Sequence, residues 1–296
     1  MLDIRKVESK NEVYVSGILN ELDIVEGITK DGRKWIRGTA NVKIDQEING
    51  QMTEDIVPIK MFSMRAKKDG SDNKIYDIIA SYKDRLTSLA AADDESQASR
   101  VTVSAKIEEN PFVSKDGQLV STWQLTSNFI NNKRDSDEEA AKFIFSGVVG
   151  KIIPEYNREG EETGRAIVQF IVIGYNGKAN RIDLIADGSK RDYIETNWNV
   201  GDTVQVTGRI NVTKKIVTWT EEQGFGEPIT RSRTESRKEL LITGGSPCGL
   251  EESLSYDADS VKQVLSERSA RNEELIAKSK TSSKPQSKSV KRDLGF

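Results

Sequence analysis

Val101-Thr102-Val103-Ser104-Ala105-Lys106-Ile107 and, much later, Val204-Gln205-Val206-Thr207-Gly208-Arg209-Ile210 are two versions of one strand. In the first, Val101, Val103, Ala105 and Ile107 alternate with Thr102, Ser104 and Lys106, which is the period of a half-buried strand. The correspondence extends upstream. Val13-Tyr14-Val15-Ser16-Gly17-Ile18-Leu19 is answered by Phe143-Ile144-Phe145-Ser146-Gly147-Val148-Val149, Trp35 to Ile44 by Arg165 to Tyr175, and Ile56 to Phe62 by Arg181 to Ala186. A helical pattern precedes each quoted strand. Ile75, Ile78, Ile79, Tyr82 and Leu86 recur at helical spacing in the first copy, and Asp192 to Trp198 makes a shorter helix in the second. Thr122 to Ile130 and Glu239 to Thr243 close the two copies, while Asp31-Gly32 and Lys115-Asp116-Gly117 read as hairpin turns. The chain is an internal duplication of three strands, a helix and two strands.

Lys133 to Ala140 is a charged break that reads as a linker. The expected organisation is a first domain at 1–132, the linker at 133–140, a second domain at 141–250, and a polar helix with a flexible tail at 251–296. Ser260 to Lys280 offers only Val261, Val264, Leu265 and Leu275 as apolar positions, so a helix there gains little from burial. Thr281 to Arg292 is a Ser/Lys tract with Pro285, a composition that does not fold alone. Three strands, a helix and two strands is the order of the OB-fold. That small, partly open barrel binds oligonucleotides or oligosaccharides on strands 2 and 3 and on loops 1-2 and 4-5. The expected fold class is all-β: two tandem OB-fold barrels with one short helix each, plus the helical and disordered C-terminal tail.

Composition narrows the chemistry. The 296 residues include 44 Lys+Arg, 47 Asp+Glu, one Cys and no His. Without histidine there is no Ser-His-Asp or Cys-His catalysis, no His/Cys zinc site and no imidazole proton shuttle. The acidic clusters Asp93-Asp94-Glu95, Glu108-Glu109, Glu161-Glu162 and Glu221-Glu222 stand beside turns or strand ends and read as solvated loops, not as a metal site or a shifted acid. Thr243-Gly244-Gly245-Ser246 lacks the Lys-Thr and helix of a phosphate loop. The expectation is a protein that is no enzyme and uses neither cofactor nor metal. Met1 to Glu8 has no apolar signal core, and no run approaches the ~20 apolar residues of a membrane span, so the expected location is cytoplasmic. A net charge of −3 says nothing against local positive stripes.

With those strands in place, the sequence resembles the single-stranded DNA-binding protein family of bacteria and their phages. The carrying residues are Asn11 to Leu19 for the opening strand, the third strand followed by the helix before Leu86, Val101 to Ile107 for the fourth strand, and Phe112-Val113-Ser114-Lys115-Asp116-Gly117 for the loop before the last one. The second copy repeats the landmarks at Phe145-Ser146-Gly147 and from Gly201-Asp202 to Ile210. Members commonly carry one OB domain per chain and assemble through it, so a homo-oligomer is among the expectations. The family's tail is usually acidic with a Pro-Phe tip that docks replication and repair proteins. Here Lys280, Lys284, Lys288, Lys291 and Arg292 make it basic, and it ends Asp293-Leu294-Gly295-Phe296. The resemblance implies that Asp293, Leu294 and Phe296 bind a replication or recombination protein.

Single-strand binders need cations along the phosphates and flat rings under the bases. Trp35, Arg37 and Lys43 share one face of the second strand, preceded by Arg33 and Lys34 in the 1-2 loop. Lys60 and Phe62 extend that face on strand 3, and Phe112 follows Pro111 in the 4-5 hairpin. Trp123 shares its alternation with Leu125 and Phe129 and reads as core. In the second copy Gln169, Ile171, Ile173 and Tyr175 replace the basic row, and charge moves to the 4-5 hairpin. There Arg209, Lys215 and Trp219 share one parity of the outgoing strand, and Arg231, Arg233 and Arg237 one parity of the return; Phe225 is a further stacking candidate. The expected function is to coat and protect single-stranded DNA during replication, recombination or repair. The rival readings are a phage structural or assembly module whose barrels contact proteins, and a recombination mediator that anneals strands.

Overall fold

The computed structural model describes residues 1–48, 50–157, 159–221 and 229–282, with the side chains of all these except 48, 51, 214–217, 219, 229, 233–235, 281 and 282. The chain is mainly β. Its first half comprises β1 (Asn11–Ile28), β2 (Lys34–Ile48), β3 (Gln51–Met64), α1 (Lys74–Arg85), β4 (Arg100–Glu109), the short hairpin β5 (Phe112–Val113) and β6 (Leu119–Val120), β7 (Trp123–Thr126) and β8 (Asn131–Asn132). The second half comprises β9 (Ala140–Tyr156), β10 (Glu162–Ile173), β11 (Ala179–Asp187), α2 (Gly188–Asn197), β12 (Thr203–Glu221) and β13 (Ile229–Gly245), followed by α3 (Ala258–Ser282).

Each half closes on itself. In the first, β1 pairs with β2, β2 with β3, β3 in parallel with β7, β7 with β4, and β4 returns to β1. In the second, β9, β10, β11, β13 and β12 repeat the circuit, again with one parallel contact, Ile185 opposite Leu241. The Ser-Gly pair common to the two opening strands has a steric reason. A Cβ on Gly17 would lie 2.1 Å from the Lys43 carbonyl oxygen, and one on Gly147 would lie 2.3 Å from that of Ile171. Both glycines let the second strand's backbone cross close to the first, beside a bulge in the pairing.

The helix α1 fills the end of the first barrel. Asn73 caps it by accepting from the Ile75 N–H at 3.2 Å, and Tyr76, Ile79 and Tyr82 form its buried stripe. Two local expectations change nearby. The closing strand ends at Thr126, not Ile130, because the Ser127 hydroxyl donates to Ser104 O at 2.8 Å and to Phe129 O at 3.2 Å and curls the chain. Phe129, read from its alternation as core, is consequently 51% exposed, whereas Trp123 and Leu125 are buried.

The two barrels share one sheet and one core. β1 and β9 pair antiparallel from Asn11 opposite Phe145 to Ser16 opposite Ala140, and the apolar cluster runs from Val13 and Val103 through Phe143 to Val206 without a break. The charged residues before β9 are tied to the first barrel: Asp137 accepts from the Thr102 hydroxyl at 3.1 Å, and Glu139 pairs with Arg100 at 2.5 Å. The strands β2 and β3 run beyond the apolar alternation that announced them. Their extension is a ribbon that reaches the second barrel. Gln46 donates to Ile210 O at 2.8 Å and to Asp55 at 3.0 Å, Thr53 donates to Asp55 at 2.8 Å, and the Val212 N–H also donates to this fully buried carboxylate. Asp55→Ala would leave the Val212 N–H unpartnered in a dry contact, a cost of about 1–3 kcal/mol. A lower urea midpoint is expected, and an unchanged one would contradict the latch.

The polar helix finds its burial in tertiary contact. Val261, Val264 and the partly buried Leu265 of α3 pack with Ile4, Tyr256, Val148, Ile171, Ile173 and Ala179. α3 and the N-terminal segment thus cover the outer face of the second barrel.

Candidate nucleic-acid interface

On the first barrel, antiparallel pairing sets Arg37 opposite Phe62 and Thr39 opposite Lys60, so these side chains leave the sheet on the same side. Trp35 lies one alternation away. Its ring rests over Gly27 of β1, where a Cβ would come within 2.3 Å of the indole, and the Arg37 guanidinium sits 5.3 Å from the ring centroid. Phe62 is 57% exposed, and Lys60 donates to the Thr39 hydroxyl at 2.8 Å. Neither Arg37 nor Lys60 has a carboxylate partner among the described residues. A half-buried indole, an exposed phenyl ring and two uncommitted cations thus share one barrel face.

Lys238 of β13, which sequence reasoning missed, joins this face from the second barrel. Its ammonium lies 4.1 Å from the centroid of the Trp123 ring and donates to Trp123 O. Burial, followed by the nearby Lys60 charge, pushes it below the ordinary lysine range. Two ammonium groups held near each other without a carboxylate favour an arriving anion. Its place depends on how the barrels dock, and no local pattern in the sequence records that. The face opens into a groove of about 1600 Å³ between the barrels, lined by Phe62 and Phe129 and by Lys60, Lys106, Lys142 and Arg209, with Glu47, Glu108 and Glu138 among them.

The remaining sequence candidates fall into groups. Lys34 is exposed, whereas Arg33 pairs with Asp31 at 2.6 Å. Lys43, of the same parity as Trp35 and Arg37, is largely buried between Glu54 at 3.2 Å and Glu95 at 3.9 Å, and the hydrogen bond to Glu54 holds its pKa up. Phe112 is 48% exposed on the short hairpin β5–β6. The strands β12 and β13 form the expected two-stranded arm, with Trp219 opposite Arg231 and Val217 opposite Arg233. Arg231 pairs with Glu221 at 2.5 Å, Arg237 lies 3.6 Å from Glu239, and Arg209 donates to Glu47 O at the arm's root. The side chains of Lys215, Trp219 and Arg233, and the whole of Phe225, Asp293, Leu294 and Phe296, lie outside the described residues. On the second barrel Ile171 and Ile173 face α3 and are buried, so the sheet face there is covered.

One carboxylate departs from its reading as a solvated loop. Glu109, at the root of the 110–122 segment, is buried. It accepts from Arg268 of α3 at 2.7 Å, from the Ser121 hydroxyl at 2.8 Å and from the Arg181 N–H of β11 at 3.2 Å. Burial pushes its pKa up, but the hydrogen bonds from Arg268, Ser121 and Arg181 outweigh it and hold the carboxyl below its ordinary value. Glu109 joins the β5–β6 hairpin, the second barrel and α3. Among the described residues there is no cluster of three metal-ligating side chains and no helix long and apolar enough to cross a membrane.

A family model, YorF, matches residues 10–282. A search of curated proteins finds no match. Among solved structures the chain is similar to the single-stranded DNA binding protein from Thermus aquaticus. The wild type is 12% identical with a TM-score of 0.49, covering 86% of this chain and 99% of that one. A deletion mutant of the same protein is 14% identical with a TM-score of 0.49, covering 83% and 97%.

Proposed function

The chain belongs to the YorF family, and from that premise and the geometry of its first barrel we propose that it is a non-catalytic single-stranded DNA-binding protein. The two barrels act as tandem OB-fold domains, 1–132 and 141–250, that coat and protect DNA during replication or recombination. The observation that carries this reading is the row of Trp35, Arg37, Phe62 and Lys60 on one exposed face, with Lys238 beside it. Rings take the bases by stacking, which every base allows, and the cations take the phosphates, so sequence preference is slight. The Arg37 side chain rests on Trp35 in the free protein and moves to the backbone of an arriving strand. The arm of β12 and β13 adds a second contact, the cytoplasm is the site of action, and the C-terminal tip is the contact for a replication or recombination protein.

Salt dependence tests the phosphate contacts. The logarithm of oligo(dT) affinity should fall linearly with the logarithm of salt, by about 0.7 per neutralised phosphate. Arg37→Ala and Lys60→Ala should each make the slope shallower by about that amount, measured by fluorescence titration at several salt concentrations. Slopes unchanged in both variants would remove this face from the interface.

A further inference from the structure

The stripe that α3 turns toward the barrels changes character along its length. Val261, Val264 and Leu265 fill the second apolar cluster. One and two turns on, the same stripe carries Arg268, Arg271 and Asn272. Polar side chains facing a protein interior are retained where something bonds them. Arg268 has Glu109. Asn272, 8% exposed, has no hydrogen-bond partner for its amide among the described residues, and Arg271, exposed at the edge of the stripe, donates to Ala179 O at 3.5 Å.

Both residues line a cleft of about 300 Å³ between α3, the start of β11 and the base of the β5–β6 hairpin. Opposite them stand Lys178, which has no ion pair among the described residues, and Asn180, 4% exposed with its Oδ1 buried and unpartnered. Lys278 is at the rim, paired with Glu274 at 2.6 Å. The unpartnered Asn180 Oδ1, whose Nδ2 is committed to Lys178 O at 3.3 Å, the Asn272 amide, and two exposed cations without ion pairs among the described residues make a site for a ligand that carries both an anion and a flat polar edge. The volume is at the small end of ligand sites, which run about 300–1,000 Å³.

We infer that this cleft binds a single nucleotide unit, its phosphate between Lys178 and Arg271 and its base edge against Asn180 and Asn272. The unit is either a free nucleotide or one residue of a bound strand, since Pro111, next to Phe112, lines the same cleft. The second alternative rests on the function proposed above; the first does not.

The test titrates the full chain with each deoxynucleoside monophosphate by nuclear magnetic resonance, and separately with oligo(dT), comparing wild type with Arg271→Ala and Lys178→Ala. Both replaced side chains are on the surface, and an unchanged melting temperature checks the fold. Saturable mononucleotide binding that weakens at least about fivefold in each variant is expected, with the matching nucleoside binding more weakly for want of the phosphate. If oligo(dT) affinity falls in the same variants, the occupant is part of the strand; if it does not, the occupant is a free nucleotide. No mononucleotide binding, together with unchanged oligo(dT) binding in the double variant, would overturn the inference and leave the proposed function standing. Mononucleotide binding without oligo(dT) binding would do the reverse.

Discussion

Replacing Trp35 and Phe62 together by Ala is expected to weaken oligo(dT) binding by about 100-fold. Each ring that stacks on a base contributes about 1–3 kcal/mol, and about 1.4 kcal/mol is a factor of ten. The single variants should each lose about tenfold. Phe62 is the more exposed of the two, so its removal should leave stability nearly unchanged. Trp35 also supports Arg37 across 5.3 Å, so Trp35→Ala and Arg37→Ala should be less than additive, as for any two groups that act as one unit. Anisotropy of a labelled oligonucleotide compares wild type with each of these single and double variants. A loss below about threefold in the double variant would mean that the rings do not meet the bases.

The second large effect is on stability. Glu109→Gln leaves the Arg268 guanidinium, largely buried, without its counter-charge. Removing one partner of a buried pair costs about 3–5 kcal/mol, and about 2–4 °C accompanies each kcal/mol in a protein of this size class. A fall of about 6–20 °C in melting temperature is expected. Replacing the pair together, Glu109→Leu with Arg268→Met, should recover much of it, because an apolar pair removes both desolvation costs. Acid has a related effect. The folded carboxyl titrates below its ordinary value, so its contribution is complete above that value and is lost as the pH falls through the lower, folded one. Wild type should therefore lose stability below the usual carboxylate range more steeply than Glu109→Gln, and parallel curves for the two proteins would contradict this role for Glu109.

Alternation carried the β architecture into the sequence. Val101 to Ile107 and Val204 to Ile210 do form β4 and the start of β12, and the repeated Ser-Gly marks a steric need that the sequence could only hint at. What it could not show comes from contacts between distant segments. The alternation read from the sequence ends at Ile44, and it is the second barrel that makes Gln46 and Asp55 interior groups. Lys43 has the right parity for a phosphate contact, and only the folded chain brings Glu54 and Glu95 to it. Lys238 and Glu109 acquire their environments from the other barrel and from α3. The apolar positions of α3 are too few to announce a packed helix, yet Val261 and Val264 suffice to cover Ile171 and Ile173. The exposed face of the first barrel was legible because its residues are local and alternate. The covered face of the second was not, because its cover lies nearly a hundred residues downstream.

Direct titration of the wild-type protein with oligo(dT) at low salt, following tryptophan fluorescence, against a duplex of equal length, tests the central claim. Quenching that saturates, reverses on adding salt and is much weaker with the duplex is the predicted result, since stacking needs unpaired bases and phosphate contacts need low ionic strength. No quenching with oligo(dT), or equal affinity for duplex, would contradict the assignment of the Trp35 face to single-stranded DNA.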